Sequence, residues 1–231
     1  MKRKQLVLPI IILLTLLFVL SAYGEEKADI YKRSSDLIKQ EEWEQVISLL
    51  EAHCRHNLTD LKGSILLAQA YLGKCDLLKR QGDKAYSSLV LLPFKTGSGL
   101  MSHHNLHVQS EGFYIVAYSF FINDRKARAR KHLEKALELP PFYTPEVRLL
   151  LLSGRIKAAQ GSEMGARKVF EQIIDMDVEN EYKALSCFWL GKLYRRSLDR
   201  KKAISSFNAA LNYAENESTR MRIQKQLASI Q

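Results

Sequence analysis

The stretch Ser-His-His-Asn-Leu-His gathers His103, His104 and His107, half of the six histidines in the chain. Imidazole is the commonest metal ligand. Two histidines three residues apart on a helix, as His104 and His107 would be, share one face in the way zinc sites use. A zinc site needs three or four ligands, however, and no cysteine or carboxylate falls within the stretch to complete a set. The surrounding Pro93 to Gln109, with Lys95-Thr96-Gly97-Ser98-Gly99, reads as an exposed linker in which histidines carry no cost. The sequence therefore assigns no metal and no cofactor, and leaves His103, His104 and His107 as weak candidates. His53 and His56, with Cys54 between them, end an expected helix and rank lower.

Other chemical patterns are incomplete. Gly97-Ser98-Gly99 resembles part of a phosphate loop, but Ser102 stands where a third glycine belongs and no strand precedes it. Asp175, Asp177, Glu179 and Glu181 alternate like a calcium loop, yet Asn180 replaces the turn glycine and Ser186 falls where the closing Glu would be. No serine, histidine and carboxylate stand at triad-motif spacings. The reading is a protein that is not an enzyme.

The elements that would position any site begin after an apolar amino terminus. Lys2, Arg3 and Lys4 precede an apolar stretch from Leu6 to Leu20, followed by Ala22 and Gly24, the three-part pattern of an export signal. Residues 1–24 are expected to be a signal peptide cleaved after Gly24, with an uncleaved anchor as the alternative, since the stretch is near the lower limit for a span. Either version places residues 25–231 outside the cytoplasm, in the periplasm or cell envelope. No cysteine follows the apolar stretch, which argues against a lipid-modified terminus. Losing residues 1–24 lowers the formal charge from +10 to +7. That balance suits acidic partners or an anionic membrane surface, and export excludes nucleic acid as a partner. Cys54, Cys75 and Cys187 are too sparse for a disulfide scaffold and read as buried thiols, with a Cys54–Cys75 bridge as the alternative.

Sliding the chain by 37 residues exposes an internal repeat. Ala117 aligns with Gly154 and Gly191, Ala129 with Ala166 and Ala203, Leu133 with Phe170 and Phe207, and Ala136 with Ile173 and Ala210. Within each copy apolar residues recur every three or four positions, as in Ala166, Val169, Phe170, Ile173 and Ile174, so each copy is a pair of amphipathic helices. The polar turns Asn123-Asp124-Arg125, Gln160-Gly161-Ser162 and Ser197-Leu198-Asp199 are short enough to force antiparallel neighbours. Small residues on facing helices let the backbones approach, and the bulky residue four further on fills the space beside them.

These residues resemble tetratricopeptide repeats, whose 34-residue pattern has a small residue at position 8, an aromatic at 11, Ala at 20, a large apolar residue at 24, Ala at 27 and Pro at 32. Gly191, Tyr194, Ala203, Phe207 and Ala210 occupy the first five in the last copy. Ala117, Phe120, Ala129, Leu133, Ala136 and Pro141 match in the first strict copy. Gly154, Ala166, Phe170 and Ile173 match in the middle one, where Lys157 replaces the aromatic. Two earlier copies are weaker: a pair from about Ala28 with Val46 and Leu50 on its second helix, and residues 61–92 with Ala68 or Gly73 at position 8 and Ala85, Leu89 and Leu92 on a second helix. Glu217 to Gln231 would be a terminal capping helix. The resemblance implies an all-α, right-handed α-α superhelix of about five helix pairs plus that cap.

It also implies where function sits. In the family, first helices line a concave groove, which carries Tyr114, Tyr118 and Phe121, then Arg148, Leu151 and Arg155, then Phe188, Lys192, Arg195 and Arg196. Aromatic residues give way to basic ones along it, the types that dominate binding hot spots and grip carboxylates. The expected function is a scaffold that binds a protein or peptide, acidic in character, through this groove. A pocket for a small apolar or anionic ligand is the alternative, and a metal-dependent envelope enzyme the third reading. Oligomeric state is not legible.

Overall fold

The computed structural model describes residues 27–140 and 144–230. The expected export segment 1–24 and Pro141 lie outside the described residues. Eleven elements follow the helix α1 (27–39): α2 (Trp43–His56), α3 (Leu61–Gln81), α4 (Tyr86–Leu89), α5 (Leu91–Leu100), α6 (Leu106–Ile122), α7 (Lys126–Glu138), α8 (Glu146–Ala159), α9 (Glu163–Asp175), α10 (Asn180–Arg196), α11 (Arg200–Tyr213) and α12 (Glu217–Ala228). They form five antiparallel pairs, α1 with α2, α3 with α5, α6 with α7, α8 with α9 and α10 with α11, followed by α12. From α2 onward each helix packs on its chain neighbour, and the first helices also touch one another, α3 on α6, α6 on α8, α8 on α10 and α10 on α12. The result is an all-helical solenoid with the first helices as its inner layer. Among the described residues no helix is long and apolar enough to cross a membrane.

Each first helix stops in the same way. Glu41, Gly82, Asp124, Gly161 and Leu198 all have positive φ, between 58° and 84°. The residue after each donates its N–H five residues back, Glu42 to Leu37, Asp83 to Leu78, Arg125 to Phe120, Ser162 to Lys157 and Asp199 to Tyr194, at 2.8–3.0 Å. This is the Schellman arrangement, which satisfies the last carbonyls and reverses the chain within a few residues. Only two of the five left-handed positions are glycine. At the others a side chain accepts a conformation that costs about 1 kcal/mol or more.

In the fourth and fifth pairs the packing rests on a glycine facing a phenylalanine. A Cβ on Gly154 would lie 2.5 Å from the Phe170 ring, and one on Gly191 would lie 2.7 Å from the Phe207 ring. The small residue thus makes room for the ring of the facing helix, not for bare backbone contact. Both rings are fully buried, worth about 2–3 kcal/mol each. The third pair has Ala117 and Leu133 in these two places, a larger residue opposite a smaller one, and Ala129 and Ala136 buried beside them.

The second pair departs from the expectation. Its first helix runs 21 residues, and the segment with Ala85 and Leu89 makes only the single turn α4. The second helix is instead α5, most of it within the stretch from Pro93 read as an exposed linker, and Leu92 stays half exposed. Two glycines explain this. A Cβ on Gly97 would lie 2.8 Å from Ile115, and one on Gly112 would lie 2.6 Å from the Met101 amide nitrogen and 2.8 Å from the Gly97 carbonyl oxygen. The two helices cross so closely that their backbones touch, and residues that look like loop formers in sequence are the crossing point.

The three cysteines are free thiols. Burial raises the pKa of all three, Cys75 to about 12 and Cys187 to about 11, so they stay protonated and poorly nucleophilic at neutral pH.

Candidate functional site: the inner face

The inner layer brings the aromatic and basic groove residues to one place, centred on Arg155 of α8. Its Nη2 lies 2.6 Å from Asp76 Oδ1 and its Nη1 donates to the Tyr118 hydroxyl at 2.7 Å. The guanidinium carbon stands 5.2, 4.9 and 5.3 Å from the ring centres of Tyr118, Phe121 and Trp189, within cation–π range. Arg155 is thereby spent largely inside the protein, although its buried Nε has no partner. Burial alone would lift the Asp76 carboxyl, but Arg155 and Arg80 beside it hold it below the usual carboxylate range.

The other expected groove residues divide. Tyr114 is only 3 % exposed and belongs to the core, where burial lifts its hydroxyl to about 12. Arg148 donates to Gln69 Oε1 at 2.7 Å; Gln69 donates to Thr144 Oγ1 at 2.8 Å, and Thr144 donates from its amide and hydroxyl to the buried Glu111. That network pins α3, α6 and α8 together. Phe188 is buried against Phe207. Arg196 donates to the Ala158 carbonyl in the last turn of α8, where a cation offsets the helix dipole. Arg195 is exposed and reaches Ser229 at 3.1 Å.

Lys192 differs from all of these. Its Nζ sits 4.3 Å from the Trp189 ring centre and 5.7 Å from that of Phe188. Burial, with Arg155, Arg222, Arg195 and Arg196 around it, lowers its pKa to about 8. Arg222 of α12 stands 5.2 Å from the same Phe188 ring and 3.3 Å from Glu41.

Glu41 also marks where the two ends of the solenoid meet. The end of α1 and the turn after it touch α12 and its approach, where Ser218 Oγ donates to Glu41 at 2.7 Å and Asn216 donates to the Lys39 carbonyl, and Lys39 also pairs with Glu179, just before α10, at 3.1 Å. Asp76, Arg80, Glu41, Trp189 and Arg222 therefore belong to the site although sequence reasoning did not name them. Asp76 and Arg80 lie four apart on α3, which was the available signal. Glu41 and Arg222 become neighbours only through closure of the superhelix.

The histidine candidates do not share a helical face. His103 and His104 lie in the turn before α6, with ring centres 4.2 Å apart, and His103 Nδ1 accepts the Asn105 amide; His107 is in the first turn of α6, where Asn105 caps its N–H. Among the described residues no group of three or more His, Cys, Asp or Glu could hold a metal. A separate pair, His53 and Asp60, meets at 2.6 Å with Tyr31 donating to the same carboxylate. It ties α1, α2 and the start of α3 together.

Residues 184–217 match the family model for the tetratricopeptide repeat. The match starts seven residues before Gly191 and so places Gly191 at position 8, the register read from the sequence. The chain is similar to a thermophilic tetratricopeptide-repeat protein of Thermus thermophilus, at 17% identity over 88% of this chain and 97% of that one, with a TM-score of 0.65. It is similar also to the C-terminal part of a repeat-containing protein of Cytophaga hutchinsonii, at 14% identity over 82% of this chain and 97% of that one, with a TM-score of 0.39. No curated protein matches the chain.

Proposed function

We propose that this chain, a tetratricopeptide-repeat protein by its fold and its fifth helix pair, is a non-catalytic scaffold that binds another protein through the inner face of the solenoid. The observation that carries the reading is the convergence of Tyr118, Phe121 and Trp189 with Arg155, Lys192 and Arg222 on one concave surface. Stacked aromatic and cationic groups are the residue types that concentrate binding energy. The excess of basic over acidic groups there favours an acidic segment as the partner, recognised by charge-assisted hydrogen bonds. Arg195 and Lys192 are the residues in reach of such a segment, while Arg155, Arg148 and Tyr114 hold the frame. The reading includes export to the cell envelope, on the strength of the residue pattern at 1–24, and the mature chain would start at Glu25.

Lys192→Glu combined with Arg195→Glu, in the full chain isolated with crosslinking from cells that produce it, should lose the protein that co-purifies with the wild type. Retention of every co-purifying protein by the double variant would contradict the reading. N-terminal sequencing of the isolated chain checks export: Glu25 is expected first, and Met1 on a chain recovered from the cytoplasm is the opposing result.

A further inference from the structure

Positive charge on the inner face exceeds the acid set against it. Arg80, Arg155, Lys192 and Arg222 converge from α3, α8, α10 and α12, and two carboxylates answer them. Asp76 is shared by Arg155 at 2.6 Å and Arg80 at 4.0 Å, and Glu41 by Arg222 at 3.3 Å and Arg80 at 4.0 Å. Among the described residues no carboxylate lies within 4.0 Å of Lys192, so the cluster retains two uncompensated positive charges. Half-buried like charges are costly unless something neutralises them.

Two of these cations also share an aromatic neighbour. Lys192 Nζ and the Arg222 guanidinium stand 5.7 and 5.2 Å from the centre of one ring, that of Phe188, and Trp189 flanks the ammonium at 4.3 Å. An ammonium offers freely turning donors and a guanidinium offers a fixed fork, so the pair suits a planar or tetrahedral group of oxygens.

We propose that the cation cluster on the inner face binds an oxyanion, a carboxylate, phosphate or sulfate group, through Lys192 and Arg222 beside the Phe188 and Trp189 rings. The site shares Lys192 with the scaffold reading but needs no protein partner, and its test is read on the isolated chain.

Thermal unfolding of the full chain in sodium sulfate, in sodium succinate and in sodium chloride at equal ionic strength tests this. Sulfate stabilises proteins generally by exclusion from their surface, so the reading is the difference between wild type and Lys192→Met, with Lys201→Met on the exposed side of α11 as the control. At millimolar affinity and 20 mM anion, sulfate or succinate should raise the wild-type midpoint by about 4–7 °C beyond its effect on Lys192→Met. Lys201→Met should follow the wild type. A response to sulfate alone points to an inorganic anion as the natural occupant, and a response to succinate alone points to an organic acid. Equal shifts in wild type and Lys192→Met, or no shift in either, would overturn the proposal. Arg222→Met should lose the same response, which keeps the test open if one variant folds poorly.

Discussion

The three pairs from α6 to α11 and the two pairs from α1 to α5 solve one packing problem differently. In the later block the fit is a side-chain exchange repeated every 37 residues: Gly154 against Phe170, Gly191 against Phe207, and Ala117 opposite the smaller Leu133. In the earlier block each contact is particular. Trp43 lies on Gly73, α5 and α6 touch backbone to backbone at Gly97 and Gly112, and His53 with Tyr31 and Asp60 makes a polar joint. Both blocks end their first helices in the same Schellman turn. The solenoid therefore depends on turn geometry being uniform and tolerates wide variation in what fills the space between helices.

The sharpest way to break this comparison is at the backbone crossing. Gly112→Ala puts a methyl 2.6 Å from a backbone nitrogen, where no rotamer can give way. It should destabilise by about 3 kcal/mol, about 6–12 °C in midpoint for a domain of this size. Gly191→Ala meets only the edge of a ring and gains helix propensity, so it should cost about 1–2 kcal/mol. Adding Phe207→Leu recreates the combination of the third pair, and the double variant should be less destabilised than the sum of the single changes by about 1 kcal/mol in denaturant titrations. Strict additivity would show that the two positions do not compensate. At the shared turn, Leu198→Gly relieves a left-handed, 89 % exposed leucine. It should gain about 0.5–1 kcal/mol, the strain removed less the entropy glycine adds to the unfolded chain. Lys39→Met should change stability least, by under about 0.5 kcal/mol, because its pair with Glu179 is solvent-exposed.

The sequence made the later block legible because packing there is periodic, and periodicity survives in the residue types at Gly154, Phe170, Gly191 and Phe207. The export segment apart, the number of helix pairs and the terminal helix could also be read. The second helix of the second pair could not. Its Gly97 and Gly99 have the composition of a loop, and only the close crossing of α5 and α6 at Gly97 and Gly112 shows why a helix carries a glycine at position 97. The inner face was half legible. Position within a repeat located Tyr118, Arg155 and Lys192, but not which of them would be used up internally. That depends on Asp76, on a helix whose register was ambiguous, and on closure between the turn at 40–42 and α12, a contact between opposite ends of the chain. Glu41 and Arg222 carry no local mark of their meeting.

Lys192 holds an unanswered positive charge on the inner face. The charged groups around it are Arg155, Arg195, Arg196 and Arg222, the last of these paired with Glu41. A lysine pKa lowered to about 8 in the folded chain, from 10.5, means the protonated form costs stability below pH 8 and that the cost is relieved between pH 8 and 10.5. Isotope-edited NMR of the lysine side-chain methylenes, titrated in chloride and again in 20 mM sulfate, reads this site directly. The expected result is one lysine, absent from the Lys192→Met spectrum, titrating near pH 8 in chloride and moving upward in sulfate. If Lys192 titrates with the other lysines near 10.5 in both salts, the inner face holds no unanswered charge.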